Sequence, residues 1–76
     1  DEIDVDVMEL QPDPGSRVTK MELSELSFPK ESIVGVINHH GHLSIAHGSS
    51  RLTAEDTAWV FAKNNAFNAV RKLFRA

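Results

Sequence analysis

Cysteine is absent from the 76-residue chain, which excludes disulfides and thiolate chemistry and fits a reducing compartment. Long apolar runs are absent as well. None approaches the ~20 residues that a spanning helix needs, and no signal-peptide pattern opens the chain. No methionine stands at its start, and the first residues already read as a strand, so the sequence reads as a fragment of a longer protein. Glycine-rich phosphate loops are missing: Gly35, Gly41 and Gly48 are too dispersed for a G-x-G-x-x-G loop, and there is no P-loop. Ser49 and Ser50 lie close to His47, but no nucleophile elbow surrounds them, and His47 to Ser50 reads as a turn. The expectation is a protein that is not an enzyme.

Charge is unevenly placed. Residues 1–15 hold Asp1, Glu2, Asp4, Asp6, Glu9 and Asp13 with no basic residue, whereas residues 63–76 hold Lys63, Arg71, Lys72 and Arg75 with no acidic one. These are two solvated faces of opposite sign, or ends that attract each other within the chain or across a dimer. A net charge of −3 and the lack of a basic cluster argue against a nucleic-acid partner. The hydrophobic content, 41%, is ordinary for a globular fold. At this length the chain is one domain, and such small domains bury only about 60% of the surface their unfolded chains expose.

The pattern of apolar residues gives the elements. Ile3, Val5, Val7 and Leu10 alternate with Asp4, Asp6 and Glu9, which predicts an edge strand with one buried and one acidic face. Pro12, Pro14 and Gly15 then interrupt it. Thr19 and Glu22 have the spacing of a capping box, with Val18 and Leu23 spaced as a hydrophobic staple, so a short helix is expected from Lys20 until Pro29 ends it. Ile33 to Asn38 is almost wholly apolar and β-branched, which suits a strand covered on both faces. Asn38 to Gly41 reads as a tight hairpin connection of the three-residue kind, with Gly41 at positive φ. In the next strand, His42 to Ala46, Leu43 and Ile45 form the face that packs, while His42, Ser44 and Ala46 form the one that meets solvent or a ligand.

A third run, Thr57 to Ala62, sets Thr57, Trp59 and Phe61 on one face against Ala58, Val60 and Ala62 on the other, as in a central strand. Asn64 or Asn65 can cap a terminal helix whose Phe67, Val70 and Phe74 share a face, with Ala66 and Leu73 beside it. Laid across the sheet over Trp59 and Phe61, that helix completes a small two-layer domain of the α+β class, ordered β-α-β-β-β-α, with about four strands in a largely antiparallel or mixed sheet.

The order Pro29, Ile33 to Ile37, Gly41, Leu52, Asp56 and the apolar run to Ala62 resembles the carboxy-terminal domain of TrkA-type (RCK) regulators of potassium conductance, over about residues 16–62. Three positions depart from that pattern. Ala46 stands where a proline is usual, Glu55 where a glycine precedes Asp56, and Thr19 where a glycine often precedes Lys20. The resemblance implies a single TrkA-C-like domain over 1–76 that is regulatory, dimeric and on the cytoplasmic side, as part of a larger protein at the cytoplasmic face of the inner membrane. It also implies a ligand, an ion or a nucleotide such as a cyclic dinucleotide, bound near the dimer interface and approached by Ser44, Ile45 and Ala46. The partner is then a membrane transporter or channel subunit, or a transmembrane portion of the same chain.

His42, Ser44, Ile45, Ala46 and His47 are the candidate ligand site, and Val36, Trp59 and Val60 the candidate interface of the homodimer that the resemblance implies. His39, His40, His42 and His47 lie close in sequence, and His39, His40 and His42 are candidate metal ligands. They do not by themselves complete a zinc site unless a second protomer supplies ligands. Two other readings stand beside the sensor: a ligand-free dimerisation module, and a metal-responsive switch built on the histidines.

Overall fold

The computed structural model describes residues 4–76. Ile3, expected in the first strand, lies outside them. Four strands, β1 (Val5–Leu10), β2 (Ser32–His39), β3 (His42–Ile45) and β4 (Asp56–Lys63), form one sheet in the order β1-β4-β2-β3, and every neighbouring pair is antiparallel. One helix, α1 (Phe67–Phe74), follows β4. The expected α+β architecture is therefore present, with β1 at an edge and β4 central. Among the described residues no helix is long and apolar enough to cross a membrane.

The side chains of β4 alternate as the sequence implies, but the helix takes the opposite side from the one expected. Ala58, Val60 and Ala62 lie beneath it, each with at most 1% of its surface exposed, while Trp59 and Phe61 point away. Small residues let a helix approach the sheet closely, and Phe67, Val70 and Phe74 then fill the space with Val34 and Ile37 from β2. Val18, Leu26 and Leu52 close the ends of this core. β1 departs from the expectation at Val5 and Val7, which are exposed, whereas Leu10 packs against the core as expected and Met8 packs with it.

The segment after β1 contains two 3-10 turns, Arg17–Thr19 and Leu23–Glu25, in place of one helix from Lys20. Two features explain this. The Thr19 hydroxyl donates backward to the Ser16 carbonyl at 2.7 Å, so it caps nothing ahead of it. Leu23 and Ser24 donate their N–H groups to the carbonyls of Ser50 and Gly48, each at 2.9 Å, and so to another loop rather than along a helix. The capping box forms one turn later, between Glu22 and Glu25.

The terminal helix also starts differently. A 3-10 turn over Asn64–Ala66 leads into it, Ala66 is the N-cap, and no side chain caps that end. Asn64 is still held by the sheet, since its N–H reaches the Asp4 carbonyl at 3.2 Å. At the other end Arg71 and Lys72 occupy the last turn, where cations complement the helix dipole. Asp13 ties the turn after β1 to the last residues of the chain: its N–H donates to the Phe74 carbonyl at 2.8 Å, and its carboxylate accepts the Ala76 N–H at 3.1 Å. Among the described residues, no ion pair joins the acidic first segment to Arg71, Lys72 or Arg75.

Candidate functional site

Three surfaces hold most of the candidate residues. The first is the sheet face opposite α1. Val5 and Val7 from β1, Ile33 from β2, Leu43 and Ile45 from β3, and Trp59 and Phe61 from β4 are large apolar residues exposed on that face. Register brings them together: Val7 lies opposite Phe61, Ile33 opposite Phe61 on its other side, and Val36 between Trp59 and Ile45. Half-buried Val36 belongs to the same surface. Glu9, Asn38, Thr57 and Lys63 complete its register as polar positions around the apolar centre.

Of the three candidate interface residues, Val36 and Trp59 thus share this face. Val60 does not. It has no exposed surface and belongs to the core under α1. Leu43 and Ile45, expected to pack, are 55% and 75% exposed within the chain. Likewise β2, whose composition suits cover on both faces, is covered on one. Gly35 has a steric task here. A Cβ at that position would stand 2.8 Å from the Phe61 ring, so the ring lies over a position that only glycine leaves open. A shift of register between Val34 and Val36 accommodates it.

The second surface is a groove of about 250 Å³ beside the end of β3. Ala46, His47 and Gly48 form one wall, and Leu23, Phe28 and Val34 supply much of the apolar lining. A Cβ at Gly48 would approach Ser24 Cβ to 3.2 Å, so the two loops meet closely there. The expected ligand residues therefore separate. Ala46 and His47 line the groove, Ile45 belongs to the open sheet face, and His42 and Ser44 are exposed on the other side of edge strand β3. Ser49 Oγ lies 2.8 Å from His47 Nδ1, and Ser50 Oγ accepts the His47 N–H at 3.0 Å. Both contacts are local to the turn over residues 47–50.

The third surface is the hairpin tip. β2 and β3 are joined by a two-residue loop, His40 and Gly41, at φ +53° and +86°, so the connection is one residue shorter than expected. Asn38 Oδ1 accepts the Gly41 N–H at 2.9 Å. His39 lies opposite Asp56 across β2 and β4 and donates its Nδ1–H to Asp56 Oδ1. Asp56 is 3% exposed, and its second oxygen accepts the Thr53 N–H at 2.8 Å. His40 stacks on His39 with ring centroids 4.3 Å apart, and its Nε2 lies 2.9 Å from Glu55 Oε1.

One nitrogen or oxygen from each of His39, His40 and Glu55 falls within 4.8 Å of the others. Two imidazoles and a carboxylate are donor types able to hold a cation. His42 does not join it. Glu55 does, although the sequence marked it only as a departure from a glycine. The signal lay in pairing: once His39 faces Asp56, a two-residue turn brings His40 beside the residue before Asp56.

The fold defines a small α+β domain, and a partial similarity to one curated protein supports a relation to TrkA-type proteins at the superfamily level only. That protein is the Trk system potassium uptake protein TrkA homolog of Pyrococcus horikoshii, to which the chain is 30% identical over 69 residues. That alignment covers 90% of this chain and 30% of the relative, so the chain spans under a third of that protein's length. No family model matches the chain.

Proposed function

We propose that the chain is a non-catalytic regulatory domain of a cation transport protein that acts by pairing with a second copy of itself through its open sheet face. The observation that carries this reading is the apolar surface formed by Val5, Val7, Ile33, Leu43, Ile45, Trp59 and Phe61. An antiparallel sheet with one wet side normally alternates apolar and polar residues, and this one is apolar on both sides. Large exposed patches with polar rims mark interaction surfaces. The similarity to a protein named for potassium uptake supplies the biological setting.

Pairing about a two-fold axis would bring the patch of one copy onto the same patch of the other. Regulation then follows from ligand binding, because a ligand shifts a pair between two arrangements only by the difference in its affinity for them. The groove lined by Ala46 and His47 is the place for such a ligand, with nucleotides and cyclic dinucleotides as the classes to test. The domain would work at the cytoplasmic face of the membrane, joined to or seated on the transporter it controls.

The test combines solution mass with thermal unfolding in the presence of potassium, sodium, adenine and guanine nucleotides and cyclic dinucleotides. A dimer that one of these ligands stabilises is the expected result, and binding to the folded state alone gives about 2.7 kcal/mol at a hundredfold excess over Kd. A dimer indifferent to all of them leaves an assembly module without a sensor. A monomer indifferent to all of them overturns the reading.

A further inference from the structure

We infer that the tip of the β2–β3 hairpin is a binding site for a divalent transition ion of the zinc class, held by His39, His40 and Glu55 and oriented by Asp56. This inference goes beyond the proposed role in cation transport and does not depend on it. The donor set is two imidazoles and one carboxylate. Such ligands suit zinc and its neighbours, whereas magnesium and calcium prefer oxygen throughout. Three protein ligands leave a fourth position for water or another group.

The argument rests on how the first imidazole is held. His39 gives its Nδ1–H to Asp56, which is almost wholly buried and is itself anchored by the Thr53 N–H. The bond therefore fixes the tautomer, with the Nε2 lone pair left free. A carboxylate behind a histidine is the arrangement that orients metal-bound imidazoles and makes them better donors. In this chain Asp56 also opens β4, so the orienting group is set by the sheet rather than by a mobile loop.

The turn places the second ligand, and Glu55, just ahead of β4, meets it there. His40 has a positive φ of 53°, a conformation uncommon for a residue with a side chain. That backbone stacks its ring on His39 and brings Nε2 to the Glu55 carboxylate. One ligating atom from each of His39, His40 and Glu55 lies within 4.8 Å of the others. Tetrahedral coordination at zinc distances needs separations of about 3.3–3.4 Å, and the exposed side chains of His40 and Glu55 are free to close that gap. An ion held there would tie the hairpin tip to the start of β4.

Calorimetric titration of the chain with zinc chloride tests this directly, with nuclear magnetic resonance of the histidine rings locating the ion. One equivalent per chain is expected, with the perturbation centred on His39 and His40. His40→Ala and Glu55→Gln each weaken binding at least tenfold, and Asp56→Asn weakens it about 10–100-fold as a residue acting through His39. His42→Ala and His47→Ala leave it unchanged. Circular dichroism keeps a loss of fold distinct from a loss of ligand in the Asp56 variant, and the His40 and Glu55 variants do not depend on that control. Absence of saturable binding below millimolar zinc overturns the assignment, as does binding that survives His40→Ala and Glu55→Gln or that requires His42 or His47.

Discussion

The two faces of the sheet are built from the same four strands and meet different fates. On the α1 side, Ala58, Val60 and Ala62 are small, and the helix fills the remaining depth with Phe67, Val70 and Phe74. Across the sheet, Trp59 and Phe61 stand between Val7, Ile33, Val36 and Ile45, and nothing in the described residues covers them. The first face is completed within the chain. On the proposed reading, a second copy of the chain completes the other. What separates the faces is therefore not apolar character, which both have, but the size of the residues: close cover by a helix needs small ones, while an outward apolar surface is made from large ones.

Substitutions sharpen this contrast in order of expected effect. Phe74→Ala removes a buried ring from the covered face and should cost about 3–5 kcal/mol, a large part of the 5–15 kcal/mol typical of a domain. Urea unfolding followed by circular dichroism measures it; a loss below about 1 kcal/mol would mean that the helix contributes little to the core. Gly35→Ala forces the Phe61 ring aside and should cost about 1–3 kcal/mol, with a change in Trp59 fluorescence as the ring beside it shifts. Asp56→Ala leaves the Thr53 N–H without its charged acceptor and His39 without its anchor, for about 1–3 kcal/mol. Its mark in the amide spectrum should be confined to the start of β4 and the hairpin tip.

The smallest effect on folding is expected on the open face. Ile33→Glu and Ile45→Glu, at the two most exposed of the large apolar residues, should each change stability by about 0.5 kcal/mol or less in a single chain. Thermal melts at low protein concentration read that quantity. A loss of several kcal/mol there would show that these residues stabilise the chain itself, and the contrast between the faces would fail.

Much of the fold was legible because periodicity is local. The alternation over Thr57 to Ala62, the hairpin around Gly41 and the helical stripe of Phe67, Val70 and Phe74 all follow from neighbouring residues. Periodicity separates two faces of a strand without saying which one a helix will cover, so pattern alone lays the helix over Trp59 and Phe61 and turns Val5 and Val7 inward, although Trp59 is also a candidate for the interface. The short helix after β1 failed for another reason. Its expected backbone donors at Leu23 and Ser24 are drawn to carbonyls of the loop over residues 47–50, a pairing distant in sequence. The same holds at the hairpin tip, where His39 and His40 were candidates but Glu55 entered only through the register of β2 on β4.

The most direct test of the account is the mass of the chain in solution, by sedimentation equilibrium, for the natural sequence and for a variant carrying both Ile33→Glu and Ile45→Glu. The account predicts twice the 8.4 kDa chain mass for the natural sequence and a folded species of single mass for the variant. A natural chain that stays monomeric at high micromolar concentration, or a variant that stays dimeric, would contradict it.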